Sequence, residues 1–191
     1  MEDLFTLEPM KYQAFPATMS AADRRRKLQQ MIDSGEYYYS EKTDGNLCRA
    51  VITKDHFALQ TRGISKETGT YGEIQDKVFW ADSIRSAFND TTVLLGEAYI
   101  ENGTDKTVGA VLRCLPNKAK QRQIDANEFV RFRIFDVLYY NGINLLNTPF
   151  EERKEYLNNI HIDNELINVV NSYNIQPNAH ISLLSLYFFP S

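Results

Sequence analysis

The run Glu41-Lys42-Thr43-Asp44-Gly45 places a primary amine just after an aromatic segment and follows it with an Asp-Gly turn. A neutral lysine amine is a nucleophile, and a glycine three residues on lets the backbone approach a phosphate closely. An unperturbed lysine titrates at about 10.4, so attack near neutral pH calls for burial or nearby positive charge. Glu41 and Asp44 push the other way, and a bound divalent cation would offset them. Taken alone, Lys-x-Asp-Gly reads better as a hairpin turn with a surface lysine. Three other positions keep it company. Arg62, in Thr61-Arg62-Gly63, ends a predicted strand and suits bidentate phosphate contact. Glu97 is the one carboxylate of an apolar strand, and Phe135 precedes Asp136 in a later one. Singly, each has a plainer reading: a loop charge, a carboxylate paired with a surface lysine, a core aromatic. His56, His161 and His180 have no metal-ligand spacing, and Gly63, Gly69 and Gly72 match neither a P-loop nor a dinucleotide fingerprint. Cys48 and Cys114 stand alone, so neither a disulfide framework nor a cysteine zinc site is expected.

The elements that must position these residues follow from periodicity and punctuation. Ser20-Ala21-Ala22-Asp23 has the form of a capping box opening a helix that carries Leu28, Met31 and Ile32 and closes at Ser34-Gly35. Strands are expected at Tyr37-Tyr38-Tyr39, Leu47 to Thr53 and Phe57 to Thr61, with a polar loop from Gly63 to Gly72. Ile74, Val78, Ile84 and Phe88 fit a helix; Thr92 to Ile100 is an apolar strand turned by Asn102-Gly103-Thr104. A helix is expected from Val108 to Leu115, with Pro116 marking a break or a new start. Phe129 to Leu138 alternates as a strand before the turn Tyr140-Asn141-Gly142. Thr148-Pro149-Phe150-Glu151 predicts a capped helix to about Ile160, and Asp163 to Tyr173 a further helix.

The 191 residues carry 21 basic and 25 acidic side chains, and all of the net charge of −4 comes from the last third. Residues 1–122 are neutral, with 17 of each sign, yet hold two basic clusters: Arg24-Arg25-Arg26-Lys27, and Arg113, Lys118, Lys120 and Arg122. Residues 113 to 124 contain no acid at all. Such patches suit phosphate contacts, or form two solvated helix faces. The acidic Met1-Glu2-Asp3 start does not have the layout of a signal peptide, and Leu183 to Phe189 is far too short for a membrane span. The expectation is a cytoplasmic chain of bacterial or phage type, folded as one domain.

In combination, the ordered pieces resemble the adenylation domain of ATP-dependent DNA ligases, within the covalent nucleotidyltransferases. The likeness runs through Lys42-Thr43-Asp44-Gly45, Thr61-Arg62-Gly63, Leu95 to Ile100, Leu112 to Gln123, Phe135-Asp136-Val137-Leu138 and Asn147 to Arg153, covering roughly residues 8 to 157 with Glu8-Pro9-Met10 at its head. It implies an α+β fold of largely antiparallel sheets flanked by helices, an ATP-grasp-like nucleotidyltransferase cleft. It further implies that Lys42 attacks the α-phosphate of ATP, that Glu41, Arg62, Glu97 and Phe135 bind ATP, and that Phe135 stacks on adenine. Glu97 would also help place Mg²⁺, while Asp44 and Arg49 would contact phosphate or DNA. The substrate implied is nicked double-stranded DNA, in repair, replication or recombination. An RNA ligase or capping-type transferase is the alternative within the same superfamily.

Two departures stand out. The family often has arginine five residues after the lysine; here that position is Leu47, and the nearest arginine is Arg49, on the same strand face. The family also has a later Glu-Gly strand and a Lys-x-Lys motif, whereas no lysine or arginine follows Lys154. The expectation is therefore an incomplete adenylation domain over residues 1–191, without an oligonucleotide-binding barrel. A second chain or a missing C-terminal region would supply the late motifs; otherwise this is a non-catalytic nucleotide-binding remnant.

Overall fold

The computed structural model describes residues 4–5, 15–35, 37–64, 69–170, 173–174 and 186–190. Its frame is an antiparallel sheet in the order β4 (Tyr71–Glu73), β3 (Phe57–Ile64), β2 (Asn46–Ile52), β5 (Thr92–Tyr99), β6 (Arg131–Tyr140), β7 (Ile143–Asn144). A short β8 (Ile167–Val169) runs parallel to the first half of β6. A smaller sheet sets β1 (Tyr37–Glu41) between β9 (Tyr173–Asn174) and β10 (Leu186–Pro190), both antiparallel to it. Among the described residues there are five α-helices: α1 (Ala21–Ser34), α2 (Ala81–Ser86), α3 (Asp105–Leu112), α4 (Pro116–Ala126) and α5 (Phe150–Asn158).

Period-2 alternation gives the large sheet two different faces. Cys48, Ala50 and Ile52 of β2, Leu94 and Ala98 of β5, and Phe132 and Ile134 of β6 point into the main core with Ile84, Val108, Ala119, Phe150 and Leu157 from the helices. Trp80 anchors this layer: its ring stacks on Phe132 at 4.8 Å and its Nε1 donates to the Val130 carbonyl at 2.8 Å. Gly96 is required there, because a Cβ would stand 2.6 Å from the Arg133 carbonyl oxygen and inside the contact radius of the Phe132 ring. The opposite face carries a smaller apolar cluster of Val51, Val93, Leu95 and Leu138, with Phe135 packed against it. Glu97 and Arg133 lie further along that second face.

Several elements match their sequence signals. Ser20 caps α1 by accepting from the Asp23 N–H, and Gly35 ends it in the left-handed region at φ 68°. Pro116 begins α4 rather than merely breaking α3, and Asn127 ends it at φ 50°. Other expectations change. Ile74 to Phe88 is not one helix: a 3-10 turn at Gln75–Lys77 and the short α2 flank Trp80, whose anchoring to Val130 and Phe132 sets the path. The loop expected from Gly63 to Gly72 contributes its ends to strands, since β3 runs to Ile64 and β4 starts at Tyr71. Pro149 is the N-cap of α5 with no side-chain cap, so the Thr148 capping box does not form; the Thr148 carbonyl instead accepts from Arg153 Nη1 at 2.5 Å. The helix expected from Asp163 to Tyr173 is not found among its described residues, 163–170 and 173. Glu165 and Leu166 turn the chain, and Ile167, Asn168 and Val169 pair with Phe132, Arg133 and Ile134, extending the sheet beyond β6. Glu8-Pro9-Met10 and His180 lie outside the described residues.

Candidate active site

β1 leads directly into the turn that carries Lys42, and three ties hold that turn against β5 and β6. Gly45 packs on β5 with no room for a side chain: a Cβ would fall onto the Ala98 carbonyl oxygen and stand 3.0 Å from both Glu97 Cγ and Tyr99 Cβ. The Gly45 N–H donates to the Glu97 carboxylate. Arg133 Nη1 donates to Thr43 Oγ1 at 2.9 Å. Just beyond the turn, Asn46 Nδ2 donates to the Asp105 carbonyl at 3.2 Å, fixing the start of β2 to the start of α3. Thr43 and Gly45 are thus drawn onto the sheet, while Lys42 and Asp44 are exposed.

The register brings two of the sequence candidates, Arg62 and Glu97, into one row. Leu47 opposes Glu97, Glu97 opposes Arg133, and Cys48 opposes Thr61, so Arg62 falls opposite Leu47. Arg62, Leu47, Glu97 and Arg133 therefore cross four adjacent strands on one face, and strand spacing puts the Arg62 and Glu97 backbones roughly 10 Å apart. Lys42 and Asp44 act electrostatically on Glu97 and so share this end of the sheet. Phe135 is half-buried, two residues along β6 from Arg133, at an irregularity where Leu95 opposes Asp136 and Gly96 opposes Ile134. Arg62 is exposed near the end of β3. Glu41 ends β1 by its backbone; its side chain lies outside what the structure describes.

Arg49 sits differently from the expectation. It is 3 % exposed and donates to the Phe5 carbonyl at 2.7 Å and to Gln60 Oε1 at 2.5 Å, with its guanidinium 4.9 Å from the Tyr71 ring. It shares the strand face of Leu47 but lies one row deeper, tying β2 to β3 and β4 rather than reaching the exposed end beside Lys42. Cys48, on the other face, is fully buried, and burial pushes its thiol well above the ordinary range, so it adds no nucleophile.

Glu97 carries the site's clearest electrostatic signature. Burial, reinforced by the Asp44 charge, pushes it from an ordinary 4.5 up to about 7, against the opposing pull of Lys42 and the Gly45 N–H. A raised carboxyl binds its proton more tightly folded than unfolded. Its contribution to stability is thus fully present below about 4.5 and lost as pH rises through about 7. Without divalent cations, Glu97→Gln is expected to raise unfolding stability at pH 8 by roughly 1–3 kcal/mol and to leave it nearly unchanged at pH 4. Urea midpoints of both proteins across that range decide it; parallel curves would contradict the assignment.

A family model described as the ATP dependent DNA ligase domain matches residues 17–184. The chain belongs to the ATP-dependent DNA ligase domain family. A DNA ligase of Thermoplasma volcanium is 24% identical over 156 residues, spanning 78% of this chain and 26% of that protein. The ligase domain of M. tuberculosis LigD has a TM-score of 0.50 at 17% identity, over 73% of this chain and 41% of that one. The ATP-dependent DNA ligase from bacteriophage T7, in complex with ATP, gives 0.46 at 13% identity, over 90% and 56% of the two chains. The chain thus spans about a quarter of the curated relative it matches. The LigD likeness bears on the fold, and it agrees with the α+β architecture implied by the sequence.

Within this ligase domain, sequence reasoning missed Arg133 and Tyr99. Arg133 lies 90 residues from Thr43, and its guanidinium stands 5.0 Å from the Tyr99 ring. The alternation Arg131-Phe132-Arg133-Ile134-Phe135 could have shown that Arg133 shares the face of Phe135. Nothing local could have shown that Thr43 faces it.

Proposed function

We propose that Lys42 is the nucleophile of a self-adenylating ATP-dependent DNA ligase. One observation carries the reading: in a chain of this family, the Lys42 turn is pinned by Gly45 and Thr43 beside the buried Glu97. The neutral Lys42 Nζ attacks the α-phosphorus of ATP as substrate. A P–N bond forms, the P–O bond to the β-phosphate breaks, pyrophosphate leaves, and the amine gives up a proton to solvent. The AMP then passes to a 5′-phosphate at a nick, and the neighbouring 3′-hydroxyl displaces it. Arg62 contacts the ribose or phosphates, Glu97 the ribose, and Phe135 offers its partly exposed ring to adenine.

Glu97 and Asp44 suit Mg²⁺, which typically takes one or two carboxylates and completes its shell with phosphates and water. Their proximity, felt in the raised Glu97, is the condition a bound cation relieves. When bound, Mg²⁺ would neutralise charge on the triphosphate.

The substrate read for the site is nicked duplex DNA. Arg113, Lys118 and Arg122 are exposed at and just before α4, and the 113–124 segment lacks acids, which fits phosphate contact. Replacing Arg113 and Lys118 together by Ala is expected to reduce the salt slope of duplex binding by about 2. An unchanged slope would remove this surface from the DNA footprint. Sealing a nick calls for further cations on the α-phosphate. A second reading is a nucleotide-binding domain that does not ligate. Label from the α-phosphate of ATP separates them: the ligase reading expects a covalent protein label that nicked duplex removes. The second reading expects ATP binding without a label.

A further inference from the structure

We propose that Arg133 is a positioning residue for the Lys42 turn, a role that rests on Lys42 being the nucleophile. Arg133 issues from β6, yet its guanidinium acts on a residue of the turn beyond β5. Nη1 donates to Thr43 Oγ1 at 2.9 Å, and the guanidinium lies 5.0 Å from the ring of Tyr99. Tyr99 is itself fixed: it is 8 % exposed, and its hydroxyl accepts from Asn168 Nδ2 at 3.4 Å. A planar cation held over a fixed ring is restricted in orientation, so its hydrogen bond transmits a position.

The bond's location explains why it matters. Gly45 fixes the far side of the turn by close packing on Ala98 and by its N–H to Glu97. Thr43, next to Lys42, has its side-chain anchor in Arg133. The two ties straddle Asp44 and fix the backbone from which Lys42 projects. Arg133 is also the cross-strand neighbour of Glu97, so one strand pair sets both the lysine turn and the buried carboxylate. A displacement of about 1 Å at a reacting group can cost ~100-fold in rate.

The test compares Arg133→Ala, Arg133→Lys, Thr43→Val and the Arg133→Ala/Thr43→Val double variant in the full chain with ATP and Mg²⁺. Arg133→Ala is expected to slow covalent AMP incorporation about 10- to 100-fold with little change in the KM for ATP. Thr43→Val is expected to match it, the double variant to lose no more than either single one, and Arg133→Lys to recover part of the rate. Amide hydrogen exchange at Thr43–Asn46 supplies a readout that needs no activity: it should quicken in Arg133→Ala while β5 keeps its protection. Wild-type rates and exchange in Arg133→Ala would overturn the proposal. So would additive losses, or a raised KM with Thr43→Val unaffected, which would make Arg133 a nucleotide contact. If the wild-type chain takes up no AMP, the ligase reading fails and the exchange comparison alone decides Arg133.

Discussion

Gly45→Ala is expected to cut covalent adenylation of Lys42 by about 100-fold or more while leaving a folded, less stable protein. The added methyl has nowhere to go. It would meet the Ala98 carbonyl oxygen, a backbone atom in a central strand bonded on both sides, and stand 3.0 Å from Tyr99 Cβ and Glu97 Cγ. The turn is the softer partner, so it moves, carrying Lys42 away from the row formed by Arg62 and Glu97. The Gly45 N–H then withdraws from the Glu97 carboxylate, removing one of the two influences that favour its charged form. Overpacking of this kind costs about 1–3 kcal/mol, a fall of several degrees in melting temperature. Single-turnover incorporation of AMP measures the first effect and calorimetry the second. Full activity in Gly45→Ala would mean that the turn is not clamped as described.

Arg153→Ala is expected to be strongly destabilising. Arg153 and Asp136 form a buried bidentate pair, with Nε–Oδ1 at 2.8 Å and Nη2–Oδ2 at 2.9 Å, at 6 % and 1 % exposure. Removing the cation leaves a buried carboxylate without its counter-charge, at a cost of about 3–5 kcal/mol. For a chain of this size that is on the order of 10 °C in melting temperature. Asp136→Leu/Arg153→Met, which removes both charges, should recover most of the loss, because the penalty belongs to the unpaired charge. The consequence reaches the site through Phe135, which adjoins Asp136 at the β6 irregularity. A loss below 1 kcal/mol in Arg153→Ala would show that the pair is not buried as described.

What the sequence made legible follows a physical pattern. Ser20, Gly35, Pro116 and the apolar run of β5 announce themselves because caps, φ preferences and burial are local properties. Lys42, Arg62, Glu97 and Phe135 are read as a set because their order along the chain resembles that of a family, and the register then places Arg62 and Glu97 in one row. Arg133, and the pairing of Asp136 with Arg153, were not legible, since their partners lie 90 and 17 residues away and only tertiary packing selects them. β8 failed for a related reason. Ile167-Asn168-Val169 is too short to declare its period, and the edge of β6 supplies the hydrogen bonds that make it a strand. Arg49 shows the limit of face arguments: its direction along the strand was right, but its depth depends on Gln60, Tyr71 and Phe5.

The central claim is that Lys42 becomes covalently adenylated, and intact mass after incubation with ATP and Mg²⁺ tests it most directly. The expected result is a gain of one AMP in the wild-type chain and none in Lys42→Ala. A folded wild-type protein that gains no AMP, or an adduct that persists in Lys42→Ala, would contradict it.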